Sequence, residues 1–148
     1  MAESAPLAYF DTSALVKRYV AEPGSDAVRR LLRNHRVVSS VLLRLESVSA
    51  VRRRHAEGQL TDTQQRRLLR RIEADDASWE LVPIGDDVVE GARRLLLAHQ
   101  LRTLDAIHLA SASIVAAEGV QMPFVTADHR QADAGRLAGL EVVEIATA

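Results

Sequence analysis

Four carboxylates are placed where they could do chemistry. Asp11 closes the short apolar run Leu7-Ala8-Tyr9-Phe10, and Asp128 lies just past a second such run, Phe124-Val125-Thr126. Asp105 begins a segment, Ala106 to Ala117, whose interior is otherwise largely apolar. Glu46 stands in Val41-Leu42-Leu43-Arg44-Leu45-Glu46-Ser47-Val48, among core-like neighbours, so its carboxylate needs a partner. In open parallel sheets, ligands bind at the carboxyl ends of the strands, which makes acids at strand ends worth collecting. Each alone has a plainer role, as a helix cap, a partner of the helix dipole, a turn residue or an exposed helix position. Together, several acids converging on one sheet edge would repel unless cations were present. An all-oxygen donor set suits Mg²⁺ or Mn²⁺ rather than zinc.

The elements that must hold these acids alternate along the chain. Leu7 to Phe10 reads as a strand, followed by apolar residues at helical spacing from Ala14 to Val20. Glu22-Pro23-Gly24-Ser25 breaks that helix, and Ser25-Asp26 can cap a second one through about Asn34. Val37 to Ser40 reads as a buried strand, with Ser40 capping a long helix to His55 that Glu57-Gly58 closes. Thr61-Asp62-Thr63 opens an Arg-rich helix to about Asp75, which can pair with its predecessor as an αα-hairpin. Trp79 to Ile84 is a third strand, and Gly85-Asp86-Asp87 leads into a helix ending near His99. Thr103-Leu104-Asp105 starts the apolar helix that Glu118-Gly119 ends; Pro123 to Thr126, His129 to Leu137 and Glu141 to Ile145 read as strand, helix and strand. Such alternation implies a parallel sheet covered on both faces, an α/β/α three-layer architecture.

The chain has 148 residues, 47% hydrophobic and 26% charged, which suits one domain with a real core and no disorder. With no cysteine, disulfides and thiolate metal sites are excluded. The opening Met1-Ala2-Glu3-Ser4-Ala5-Pro6 lacks the basic and apolar regions of a signal peptide, and no stretch reaches the roughly 20 apolar residues of a membrane span. The expected location is cytoplasmic, away from membranes. Net charge is only −1, yet 12 of the basic residues and three acids lie between Arg29 and Arg71, giving that stretch +9 and the rest −10. Such asymmetry fits a nucleic-acid surface beside an acidic site, and equally the solvated faces of Arg-rich helices.

The same residues carry a family resemblance. Tyr9-Phe10-Asp11-Thr12-Ser13-Ala14-Leu15-Val16-Lys17 with Glu22-Pro23-Gly24-Ser25 resembles the opening of VapC toxins, the PIN-domain ribonucleases of VapBC toxin–antitoxin pairs. Ser39-Ser40 with Glu46, then Leu101-Arg102-Thr103-Leu104-Asp105-Ala106-Ile107-His108-Leu109-Ala110, then Phe124-Val125-Thr126-Ala127-Asp128 match later motifs of that family in order, so the likeness runs from about residue 7 to residue 145. The resemblance implies one PIN domain across residues 1–148, a parallel sheet in the order 3-2-1-4-5 and divalent-metal-dependent cleavage of RNA. It makes Asp11, Glu46, Asp105 and Asp128 the catalytic, metal-holding acids. Ser13 supports the first of them by hydrogen bonding, Thr126 helps similarly, and Asp133 is an alternative or accessory fourth acid. Carboxylate-held metal stabilises charge on phosphate oxygens and lowers the pKa of a water, so no protein nucleophile is needed. The expected products are a 5′-phosphate and a 3′-hydroxyl.

Other features are weaker signals. His108 follows Asp105 by three residues, but it lies in an apolar helix and is not taken as a metal ligand; His35, His55, His99 and His129 show no ligand spacing. Arg52, Arg53 and Arg54, with Arg66, Arg67, Arg70 and Arg71, are candidates to grip RNA phosphates. Aromatic residues are too few, at 3%, for a base-stacking platform, and Trp79 reads as core. A response-regulator receiver domain also has strand-end aspartates, but it needs a paired acid at the first strand and a late lysine, and no lysine follows Lys17. A catalytically inactive PIN-fold binding module is the other alternative, against which all four acids are intact. The expected partners are RNA, a VapB-type antitoxin delivering an Arg or Lys to the acids, and a second copy of the chain, as a homodimer or a hetero-oligomer with antitoxin.

Overall fold

A computed structural model describes residues 5–147. Its centre is β1 (Leu7–Phe10), in which Ala8, Tyr9 and Phe10 are all fully buried, as a strand covered on both faces requires. On one side β1 pairs in parallel with β2 (Arg36–Ser40), Ala8 opposite Val37; on the other it pairs with β4 (Phe124–Thr126), Tyr9 opposite Phe124. β3 (Glu80–Val82) and β5 (Val142–Glu144) complete a parallel sheet in the order β3-β2-β1-β4-β5, as the resemblance implied.

Alternation along β1 divides the core. Ala8 and Phe10 pack with Val28 and Leu32 of α2 (Ser25–Asn34), Leu43 and Val51 of α3 (Leu43–Ala56), Ile72 of α4 (Asp62–Asp76) and Trp79. Tyr9 faces the opposite layer, with Leu109 and Ala112 of α6 (Thr103–Ala117) and Ala134 of α7 (His129–Leu137). α5 (Asp86–Ala98) lies against α6, Val88 and Ala92 meeting Ala106 and Ala110. None of these helices is long and apolar enough to cross a membrane.

Several boundaries differ from the sequence expectation for local reasons. The helix expected from Ala14 to Val20 is one α-turn, α1 (Thr12–Leu15), continued by a 3-10 turn, Val16–Arg18. Lys17 there turns inward to Glu22 Oε1 at 3.0 Å and the Pro23 carbonyl at 2.8 Å, so the chain tightens instead of continuing. Ser25 is inside α2, not its cap; the cap is Gly24 at φ +94°, a conformation that favours glycine. Ser40 does not cap α3 either, because its Oγ accepts from Leu42 N and closes a turn two residues earlier. Thr61 does cap α4, in a reciprocal capping box with Gln64. β3 stops at Val82, where Pro83 has no N–H to continue the ladder.

Candidate active site

Asp11 leaves β1 and becomes the N-cap of α1, its Oδ1 accepting from Ala14 N at 3.0 Å and Ser13 Oγ at 2.7 Å. Its Oδ2 accepts from Thr126 Oγ1 at 2.6 Å, across the β1–β4 pairing. The same two hydroxyls reach further: Ser13 Oγ accepts from Ala127 N, and Thr126 Oγ1 accepts from Asp128 N, each at 3.0 Å. Asp11 is thereby buried and wired to the Asp128 backbone. Burial pushes its carboxyl above the ordinary carboxylate range, against the opposing pull of His108 and of the Thr126, Ser13 and Ala14 hydrogen bonds.

Asp128 is the N-cap of α7, its Oδ1 accepting from Gln131 N at 3.1 Å. Its other oxygen faces Arg102 Nη2 at 3.6 Å, while Arg102 Nε lies 3.5 Å from Asp105 Oδ2. One guanidinium thus leans over both acids. Asp105, in the first turn of α6, has its carboxyl raised by burial first and then by the charge of Asp128, with Glu46 adding to the repulsion and Arg102 and His108 opposing it. Gln131 ties the two helix starts together, its Nε2 donating to the Asp105 carbonyl at 3.1 Å.

Glu46, in the first turn of α3, accepts on Oε1 from Thr12 Oγ1 at 2.8 Å and is met by His108 Nε2 at 2.7 Å. Burial acts to raise its carboxyl, but His108, bonded to it, and the Thr12 hydroxyl outweigh that and hold it below the ordinary value.

Two adjoining cavities open here. One, of about 540 Å³, is lined by Thr12, Ser13, Glu46, Arg53, Arg102 and Asp105 among others. The second, of about 570 Å³, takes in Arg102, Asp105, Asp128, His129 and Arg130. Asp105 and Arg102 form the wall between them; Asp11 lies behind, reached through Ser13 and Thr126. Asp133 lines neither, and pairs instead with His129 and Arg136 on the outer face of α7. Of the candidate RNA-binding arginines, Arg53 alone lines either of these two cavities. Arg52 is bonded to Gln65, Arg54 to Glu22, and Arg66, Arg67 and Arg70 are exposed along α4.

The donor chemistry fits a hard divalent cation, since every acidic group facing the cavities offers oxygen. Among the described residues no three His, Asp or Glu side chains are gathered into a metal-holding group. That suits an ion held by one or two carboxylates with its remaining positions filled by water, the ordinary habit of magnesium, and Arg102 stands where such positive charge is called for. Sequence reasoning missed Arg102 and Gln131 and set aside His108. The Asp-x-x-His spacing was the available signal, and its histidine is bonded to a glutamate on another helix.

Comparison with known proteins agrees with this geometry. The PIN domain family matches residues 8–137. The chain is 39% identical over 137 residues to ribonuclease VapC46 of Mycobacterium tuberculosis, covering 91% of this chain and 95% of that protein. It is 33% identical to ribonuclease VapC47 of the same species, covering 82% and 85%. Among solved structures it superposes on a toxin–antitoxin complex from Klebsiella pneumoniae with a TM-score of 0.65 at 20% identity, covering 93% of this chain and 99% of that one. FitAcB from Neisseria gonorrhoeae gives 0.68 at 14%, covering 93% and 97%. At such identities these structures speak to the fold alone.

Proposed function

Because the chain belongs to the PIN domain family and to the VapC ribonucleases within it, we propose that it is the toxin of a toxin–antitoxin pair and hydrolyses RNA with Asp11, Glu46, Asp105 and Asp128. The observation that carries the assignment of the site is Asp105. It faces both cavities, and burial first, then the negative charge of Asp128, holds its carboxyl above the ordinary range. Carboxylates crowded in this way are poised for a cation.

Asp105, with Glu46 or Asp128 beside it, would hold magnesium or manganese, with Asp11 supporting them from behind. Such an ion stabilises charge building on phosphate oxygens and makes a water a better nucleophile at neutral pH. The protein's own groups do the rest. Ser13 and Thr126 keep both Asp11 oxygens oriented, Gln131 holds the starts of α6 and α7 together, and Arg53 and Arg102 offer cations to the phosphates of an RNA strand. An antitoxin of the VapB type is the expected partner, in keeping with the toxin–antitoxin complexes whose fold it shares. A basic side chain from that partner could replace Arg102 over Asp105 and Asp128.

The test is cleavage of a labelled RNA by purified protein with added magnesium or manganese. Wild-type protein should cut and lose activity in chelator. Asp105→Asn should cut at least about 100-fold more slowly, as expected for removal of a charged group at the reacting centre. Undiminished cleavage by Asp105→Asn, or by wild type in chelator, would overturn the assignment.

A further inference from the structure

A hydrogen-bonded line runs from the cavity into the core: Glu46, the His108 ring, then the Tyr9 phenol, whose oxygen lies 2.8 Å from His108 Nδ1. We propose that His108 is a positioning residue for the RNA hydrolysis described above, one whose Nε2–H fixes Glu46 with one oxygen turned to the cavity.

Donor and acceptor bookkeeping sets the tautomer. An ionised carboxylate only accepts, so the proton shared with Glu46 belongs to Nε2. Nδ1 is then the acceptor, and Tyr9 O–H is its donor. Burial holds the phenol's proton firmly, far above the ordinary tyrosine value, despite the partial relief from Ser111 and Ser39. The ring is also clamped, edge-on to Tyr9 at 5.9 Å, with Tyr9 stacked on Phe124 at 5.3 Å. His108 is 2% exposed in a helix whose other inward residues are mainly Ala and Leu, where an imidazole is expensive unless fully bonded. Glu46 is the long, flexible member. On α3 it stands between exposed Leu45 and buried Ser47, and two donors, Thr12 and His108, converge on its Oε1. Its Oε2 is left for the cavity. Outer partners of this kind orient metal-holding carboxylates.

The inference rests on the proposed function, and two readouts keep them separate. Ring ¹⁵N NMR of the wild-type protein should show His108 as the Nε2-protonated tautomer, and Glu46→Gln should shift that signal; an Nδ1-protonated ring would overturn the inference whether or not RNA is cut. In cleavage, His108→Leu should lower kcat by about 10–100-fold with KM for RNA little changed. His108→Gln, which restores an N–H near the Nε2 position, should regain most of that loss. In a Glu46→Gln background, His108→Leu should add nothing. An equal loss in both backgrounds, or a Gln variant as poor as the Leu variant, would make His108 a fold-stabilising residue only. If His108→Leu does not fold, Tyr9→Phe decides: it should let the ring populate the other tautomer and lower kcat several-fold, and an unchanged ring and kcat would refute the inference. If wild-type protein cuts no RNA, the functional reading falls and the NMR result stands by itself.

Discussion

Asp105 concentrates the site's electrostatic strain. A carboxyl whose folded pKa is raised favours the fold when protonated, and that contribution disappears as pH rises through the raised value. At neutral pH the ionised group therefore destabilises the fold. Asp105→Asn, while inactive, should unfold about 2–4 °C higher than wild type at neutral pH, the shift that about 1 kcal/mol produces in a chain of this size. The gain should vanish in acid, where Asp105 is protonated anyway. Magnesium should raise the melting temperature of wild type and leave the variant unmoved, by mass action on a folded-state site. A variant no more stable than wild type at neutral pH would mean that Arg102 already neutralises the pair. Three of the acids stood out in the sequence because strand ends mark Asp11 and Asp128 and an apolar helix start marks Asp105, and Glu46 stood out because its neighbours are core-like. The partners did not. Glu46 and His108 are 62 residues apart and meet only because α3 and α6 approach the same sheet edge from opposite layers.

Elements are placed by a few backbone requirements that composition hides. Gly24 shows this best, since a Cβ there would lie 2.5 Å from Ile145 Cγ2 and 2.6 Å from the Ala146 carbonyl, at φ +94°. The chain after β5 closes down on the start of α2 at this point. Gly24→Ala should destabilise the protein by about 2–4 kcal/mol, combining left-handed strain with overlap. Gly58→Ala, also at positive φ (+78°) but with nothing within 4 Å, should cost only about 1 kcal/mol. Chemical denaturation of the two variants checks the difference, and equal losses would remove the role of the close approach. The Glu-Pro-Gly-Ser break was readable in the sequence. What lay against it was not, because Ile145 and Ala146 are distant in the chain; nor was the inward turn of Lys17 that shortens α1, because a lysine's local sequence does not show that its ammonium will be buried on Glu22 and Pro23. Ser40 misled for a related reason: a serine before an apolar run caps a helix or closes a turn, and local sequence does not say which.

Over the whole molecule, the basic stretch from Arg29 to Arg71 runs from α2 through β2 and α3 to α4, elements that share one core cluster. Much of its charge is already engaged, Arg44 with Asp76, Arg54 with Glu22 and Arg36 with Glu80, so the raw balance overstates the grip available to RNA. Leu45, 72% exposed on α3, and Leu97, 82% exposed on α5, are apolar side chains that assembly would cover. Light scattering should find two chains at micromolar concentration, and Leu45→Asp with Leu97→Asp should return the mass of one. A wild-type monomer would refute this. The order of the strands, finally, bears on when the protein can first act. β1 is made first but sits at the centre, flanked by β2 and, much later in synthesis, by β4. Two of the four acids, and the Thr126 hydroxyl that aligns Asp11, arrive only with the last third of the chain. A half-made polypeptide on the ribosome, surrounded by RNA, therefore carries Asp11 and Glu46 without the strand that completes their pocket. Birth order itself postpones the gathering of the acids until β4 and the residues after it have been made.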